Sequence, residues 1–352
     1  MFMKATYKRY ILDFKKPSGT SRGILEQKET WFLILSHDGR YGIGECAVLR
    51  GLSFDDRPDY ERQLQWVCDH IHLGEQQLWD ALSEFPSIQF GVEMAFLSLQ
   101  SESPFLLLPS AFTKGIGRIP TNGLVWMGTE QDMKQQIDEK IAAGYDCVKL
   151  KIGALDFASE LSLLRYIRML QPADTLQIRV DANGAFTSDE ALYKLRKLSG
   201  FEIHSIEQPL SKNDTDNMAE LCKIAPLPVA LDEELIGVLT YADKEQLLQK
   251  IRPQYIVLKP SFIGGFRGTK QWITLAQQYN IGWWITSALE SNIGLNAIAQ
   301  WTFMQQITMA QGLGTGGLYT NNIESPLEVA DGKLWYRADK EWEFDFQTAF
   351  GK

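Results

Sequence analysis

The pattern of hydrophobic and polar positions changes period near residue 118, and that change divides the chain. Residues 5–14 and 30–36 are strand-like, rich in β-branched and aromatic residues. His37-Asp38-Gly39-Arg40 separates the second run from residues 41–45 and reads as a hairpin turn. Two stretches, 15–23 and 47–56, are rich in Gly, Ser, Pro and Arg; they read as solvent-facing connectors or as lids over a ligand. Helical spacing follows over 59–72, 75–83 and 87–101. An α+β domain over residues 1–117 is expected.

From Ile119 the pattern becomes strand–helix alternation. Strands are expected at 119–127, 147–153, 177–181, 203–207, 228–232, 255–259, 282–288 and 307–311. Helical patterns separate them at 130–143, 157–170, 188–198, 215–224, 243–251, 265–279 and 293–304. About eight strands and seven helices predict an α/β fold, a (β/α)7β TIM-like barrel across residues 118–317. The α+β part would cap it, and the tail, 318–352, with its alternating aromatic and acidic residues, would return to that cap.

The ends of the barrel strands carry the chemistry. Successive strands end in Asp181, Glu207, Asp232 and Lys259 at intervals of 25–27 residues, the length of one strand–helix unit. Charged residues at the C-terminal ends of such strands converge on one mouth. The second strand alternates Val148, Leu150 and Ile152 with Lys149 and Lys151, placing both lysines on one face. An ordinary half-exposed strand accounts for the lysines alone, but not for the recurring register downstream.

Composition narrows the partners. The 352 residues suit a barrel with an accessory domain, and 45% hydrophobic with 22% charged residues is ordinary for a globular chain. The net charge of −9 argues against nucleic acid or an anionic membrane as partner. A small anionic carboxylate substrate would need local positive charge or a metal. The four cysteines show no CxxC spacing, no hydrophobic signal segment opens the chain, and no apolar run would span a bilayer. A cytoplasmic protein with reduced thiols is expected; the sequence gives no signal of oligomeric state.

Three carboxylates without histidine or cysteine suit Mg²⁺, with Mn²⁺ as a substitute. Arg179 and Asn183 share the strand face of Asp181. Lys151 and Lys259 flank the three ligand strands, and a neutral lysine can take a proton. The arrangement reads as proton abstraction next to a carboxylate, with a metal and a lysine holding the enediolate charge.

The motifs Lys149–Lys151, Val180-Asp181-Ala182-Asn183-Gly184, Glu207-Gln208-Pro209, Asp232-Glu233 and Leu258-Lys259-Pro260 resemble those of the enolase superfamily, in its muconate-lactonizing-enzyme-like subgroup. That superfamily pairs a Lys or His base with Mg²⁺. Thr286-Ser-Ala-Leu-Glu-Ser-Asn and Gly312-Leu-Gly-Thr-Gly-Gly-Leu-Tyr narrow the resemblance to members that form 2-succinylbenzoate for menaquinone. The resemblance implies that Lys151 removes the α-proton of 2-succinyl-6-hydroxy-2,4-cyclohexadiene-1-carboxylate and assists syn loss of water. It implies that Lys259 holds the enediolate as a cation, and that Lys149, Arg179, Asn183, Thr286 and Gly312 contact substrate or support its contacts. Segments 18–23 and 51–55 would close over the succinyl tail. The position matching Thr286 is often serine in the family. N-succinylamino-acid racemase or dipeptide epimerase is the alternative activity.

Other features have plainer readings. Gly312, Gly314 and Gly317 spell GxGxxG, but the following residues do not favour the helix a dinucleotide site requires. His204 is out of phase with Glu207 and is expected to face the outer helices. No histidine ends strand seven, where Trp283 and Trp284 read as core. A barrel turned to binding alone would have no reason to keep both lysines and all three carboxylates.

Overall fold

The computed structural model describes residues 3–20 and 23–346. Strands β1 (Lys4–Thr20), β2 (Gly23–His37) and β3 (Arg40–Cys46) form an antiparallel sheet. Helices α1 (Tyr60–Asp69), α2 (Gly74–Ala81) and α3 (Pro86–Gln100) cover one side of it. The alternation in β2 divides its side chains between two cores. Trp31, Leu33 and Leu35 pack with Leu64, Val67, Ile88 and Val92 inside this domain. Phe32 and Ile34 turn the other way and join Phe90, Leu295 and Ile298 in the barrel's outer core.

In the stretch expected to be a connector or a lid at 15–23, residues 15–20 and 23 belong to the far end of a β ribbon. Strand β1 continues to Thr20, and the register shifts between Asp13 and Ser18. Pro17 lies in that irregular stretch, where a residue without an N–H is tolerated. Residues 21 and 22 lie outside the described chain. The ribbon lies on the barrel mouth: Phe14 bridges Tyr319, and Gly19 bridges Met127.

The expected first barrel strand, 119–127, splits in two. Strand β4 (Arg118–Pro120) pairs outside the barrel, and β5 (Gly123–Val125) is the first stave. Alternation then runs through α4 (Glu130–Ala142), β6 (Cys147–Lys151), α5 (Phe157–Leu170), β7 (Gln177–Asp181), α6 (Ser188–Ser199), β8 (Ser205–Glu207), α7 (Thr215–Ile224) and β9 (Val229–Leu231). It continues with α8 (Tyr241–Ile251), β10 (Tyr255–Leu258), α9 (Pro260–Ile263), α10 (Gly265–Gln278), β11 (Gly282–Ile285) and α11 (Asn292–Met304). The seven strands β5 to β11 lie side by side in chain order, all parallel. The strand expected at 307–311 is reduced to two bridged residues. Gln311 bridges Thr121 and Gly312 bridges Thr286, so this short segment joins both edges and closes the barrel.

Strands β12 (Leu327–Ala330) and β13 (Lys333–Tyr336) pair with β4. Beyond them Trp342 stacks on Phe105, and Phe344 and Phe346 meet Phe32 and Tyr41. Among the described residues no helix is long and apolar enough to cross a membrane.

Two glutamates of the cap domain terminate barrel helices. Glu45 accepts the Ser291 N–H at 2.9 Å and the Gly294 N–H at 2.8 Å at the start of α11, and also the Thr30 hydroxyl at 2.8 Å. Glu93 accepts the Phe266 and Arg267 N–H groups at 2.5 and 3.1 Å at the start of α10. Helix N-termini carry unpaired donors and partial positive charge, so a carboxylate fixes position there. Glu45→Ala would leave several buried donors unmet, at a cost of about 3–5 kcal/mol. Glu45→Gln, which keeps one acceptor oxygen, should cost about half of that. Chemical denaturation checks this; a loss below about 1 kcal/mol for the alanine variant would remove Glu45 from the docking role.

Candidate active site

Register places the site residues. Lys151 pairs with Asp181, and Asp181 pairs with Glu207, so three charged side chains end neighbouring strands at one level. One layer deeper, Lys149 pairs with Arg179 and Arg179 with Ser205. Asp232 follows β9 and Lys259 follows β10. Asp181, Glu207 and Asp232 are 0–2% exposed, so each carboxylate needs a partner.

Lysines supply those partners. Lys151 Nζ lies 2.5 Å from Asp181 Oδ2 and donates to Asn183 Oδ1 at 2.7 Å. Lys149 Nζ donates to both Glu207 oxygens at 2.8 and 2.7 Å and lies 2.9 Å from Asp181 Oδ2. Lys259 Nζ donates to Asp232 Oδ2. Asn183 sits in the left-handed region at φ 45°, donates to Glu233 Oε1 at 2.8 Å, and gives its N–H to Asp181 Oδ1.

The electrostatics follow from burial and crowding. Burial opposes the charge of Lys149, but Asp181 and Glu207 outweigh it and raise its pKa. Burial likewise opposes the ionised form of Asp181, yet Lys149 and Lys151 hold it below the usual carboxylate range. Glu207 moves the other way: burial first, then the neighbouring Asp181 charge, pushes it up. For Lys259, burial lowers and Asp232 raises, with a net rise.

Among the described residues no three acid, histidine or cysteine side chains gather about a common point; the carboxylate oxygens face ammonium groups instead. The donor set still fits a hard divalent cation. Asp181, Glu207 and Asp232 offer only oxygen, stand on neighbouring strands, and include a Glu207 that burial and then the neighbouring carboxylates drive toward its neutral form.

A cavity of about 220 Å³ opens above these groups. Arg50, Lys140, Lys149, Lys151 and Lys259 line it, and no acidic side chain does among the described residues. In a chain of net charge −9 this is a local positive field suited to an anion. Thr286 and Gly312 line one wall, where the Thr286 hydroxyl donates to the Gly312 carbonyl at 2.9 Å. A Cβ at Gly312 would sit 2.0 Å from Thr286 Oγ1, so the wall requires glycine there. The cap contributes Leu25, Leu49 and Leu52. Arg50 is held by Glu29 and Asp56, both at 2.6 Å, which pins the 47–56 segment.

Two sequence expectations need correction. Arg179 does not line the cavity: its guanidinium lies 4.2 Å from the Trp284 ring centroid and donates to the Ala310 carbonyl. It braces the floor instead of reaching a substrate. His204 faces inward, with ring centroids 4.8 Å from Tyr255 and 6.3 Å from Trp284. Burial, with Arg179 beside it, pushes its pKa down to about 4. Phase along the short β8 misled because His204 precedes the first paired residue. Trp284 does pack in the interior, and its face also forms cavity floor.

Sequence reasoning passed over Gln208 and Leu289. Gln208, at φ 39°, accepts the N–H groups of Asp232 and Glu234 and so ties two ligand strands together. Leu289 lines the cavity at φ 65°, held by the Tyr319 hydroxyl on its carbonyl. Gln208 lay inside a quoted motif, whereas no local pattern signals the backbone strain at Leu289.

Comparison with known proteins agrees with this geometry. Residues 132–339 match the family described as enolase C-terminal domain-like, and residues 3–99 match the MenC N-terminal domain. An o-succinylbenzoate synthase from Desulfotalea psychrophila is 46% identical, covering 94% of this chain and 98% of the relative. The crystal structure of MenC from that organism superposes with a TM-score of 0.84 at 43% identity, over 95% of this chain and 99% of the other. A dipeptide epimerase from Enterococcus faecalis, solved with Mg and the dipeptide L-Leu-L-Tyr, has a TM-score of 0.82 at 17% identity, over 95% and 97% of the two chains. The last likeness is one of fold. Together, the domain matches and the near-complete 46% relative show that this chain belongs to the o-succinylbenzoate synthase family of the enolase superfamily, a family of lyases.

Proposed function

We propose that the chain dehydrates 2-succinyl-6-hydroxy-2,4-cyclohexadiene-1-carboxylate to 2-succinylbenzoate in menaquinone biosynthesis. One observation supports the chemistry above all. Lys151 and Lys259 stand on β6 and after β10, on either side of buried Asp181, Glu207 and Asp232, and both line one acid-free cavity. Asp181, Glu207 and Asp232 would hold Mg²⁺, or Mn²⁺ in its place. When bound, that ion supplies positive charge opposite a carboxylate whose α-carbon is losing a proton.

The residues divide the remaining work. Neutral Lys151 Nζ takes the α-proton, and the resulting ammonium returns a proton to the departing hydroxyl on the same face, releasing water. Asn183 and Asp181 orient that amine through the bonds described above. Lys259 remains a cation against the developing enediolate charge. Thr286 and Gly312 shape the wall beside the ring, and the apolar cap residues exclude water from it. The described residues 15–20 and 47–56 lie beside the mouth and would serve as its lids.

The same lysine pair suits proton exchange on both faces of an N-succinyl amino acid or a dipeptide, which keeps racemisation as the second reading. Assaying the purified chain with Mg²⁺ on the cyclohexadiene, N-succinyl amino acids and dipeptides decides between them. Dehydration is expected to be the fastest reaction; efficient racemisation with no dehydration would overturn the assignment. Lys259→Arg sharpens the test, because arginine stays protonated. It should retain part of the dehydration rate while racemisation disappears, since no proton can be taken from that face.

A further inference from the structure

The cavity has a second polar corner away from the carboxylate cluster. Asn122 lies just before β5, Tyr145 just before β6, and Lys140 in the last turn of α4, and all three line the cavity. The stem of Lys140 reaches in over a glycine position: a Cβ at Gly123 would lie 3.0 Å from its Cγ and Cδ. On the closing segment, Gly314 likewise leaves space, its nearest neighbours including the Tyr145 hydroxyl at 3.8 Å. Two side-chain-free positions thus thin the wall where these polar groups meet.

Their bonding state sets them apart. Arg50, Lys149, Lys151 and Lys259 each have a carboxylate partner. Among the described residues Lys140 has no carboxylate within ion-pair reach; its ammonium lies 5.5 Å from the Tyr145 ring centroid. The Tyr145 hydroxyl and the Asn122 amide also have no hydrogen-bond partner among those residues. Burial lowers the pKa of Lys140 and outweighs the nearby Glu139 charge, as expected of a cation giving up water without a paired carboxylate. A half-buried ammonium, a phenol and an amide with open hydrogen-bonding capacity together form a receptor for a carboxylate.

We propose that Lys140, with Tyr145 and Asn122, forms a second anion subsite that binds the terminal carboxylate of the substrate's succinyl chain. This rests on the succinyl-bearing substrate proposed above, and it assigns the two acid groups to different ends of the cavity. The ring carboxylate faces the metal cluster and the chain carboxylate faces Lys140, which fixes the direction in which the substrate lies. Arg50 does not serve this role because Glu29 and Asp56 already hold it.

Calorimetric binding of 2-succinylbenzoate and of its terminal carboxamide to the Mg²⁺-loaded chain tests the subsite. Wild type should bind the diacid more tightly by roughly tenfold, the scale of one charge-assisted contact. Lys140→Met, which keeps an apolar stem, should abolish that preference while leaving carboxamide affinity unchanged. Tyr145→Phe should shift the diacid in the same direction by less. Equal weakening of both ligands, or no diacid preference in wild type, would overturn the proposal. If Lys140→Met fails to fold, Gly123→Ala provides the same reading by displacing the lysine stem. N-succinyl amino acids carry the same terminal carboxylate. If they prove to be the true substrates, the dehydration reading fails while the subsite is still tested on them and their amides.

Discussion

Lys151→Met is expected to lower the dehydration rate by about 10³–10⁴-fold, the upper part of the range for a positioned acid–base group. The size follows from a single nitrogen acting twice, as proton acceptor and then as donor to the leaving hydroxyl. Lys149 cannot replace it. Its ammonium is bonded to both oxygens of Glu207 and lies 2.9 Å from Asp181, a buried position one layer deeper in the barrel. Methionine preserves much of the side-chain volume, so product affinity should change little while kcat falls. Steady-state kinetics with product calorimetry separates the two. A kcat within tenfold of wild type would remove Lys151 from the chemistry.

Asp232→Asn is expected to weaken Mn²⁺ and Mg²⁺ binding by more than roughly tenfold, since even groups that merely orient a metal ligand cost that much. Turnover should fall with it. Asparagine keeps the shape but loses the charge that Lys259 now faces, so two effects arise from one change. Mn²⁺ binding followed by paramagnetic resonance reads the metal without relying on activity. Circular dichroism confirms that the barrel persists. Unchanged Mn²⁺ affinity would remove Asp232 from the ligand set.

The sequence exposed what repeats and hid what is distant. Asp181, Glu207 and Asp232 could be aligned by eye because a strand end returns every 25–27 residues. The pairing of Lys151, Asp181 and Glu207 at one level is that rhythm in space. The continuous apolar run in β2 marks a strand, but not that its two faces serve different cores. His204 defeated the phase argument because a three-residue strand offers too little period to extrapolate. Arg179 shared the strand face of Asp181, yet sharing a face says nothing about depth, and it lies beneath the cavity against Trp284. The eighth stave is legible at 307–311, but its reduction to bridges at Gln311 and Gly312 shows only in space. Lys140 belongs to the polar face of its helix, beside the apolar stripe of Met133 and Ile137, and the glycine opposite its stem lets it reach the cavity.

The glutamates that end α10 and α11 also bear on how such proteins are recombined. Glu93 meets its donors across 173 residues of chain and Glu45 across 246. A chimera joining this cap to another barrel would therefore inherit two carboxylates that need helix starts at matching places. A barrel cut free near residue 118 would be left with bare helix ends at both positions, and with Phe266 uncovered where Phe90 now packs. Exchange of specificity between relatives by grafting would then succeed at the level of single cap segments such as 47–56, whose ion pairs with Glu29 stay within the cap. Transplanting the whole cap would require carrying its two acidic plugs to sockets that receive them.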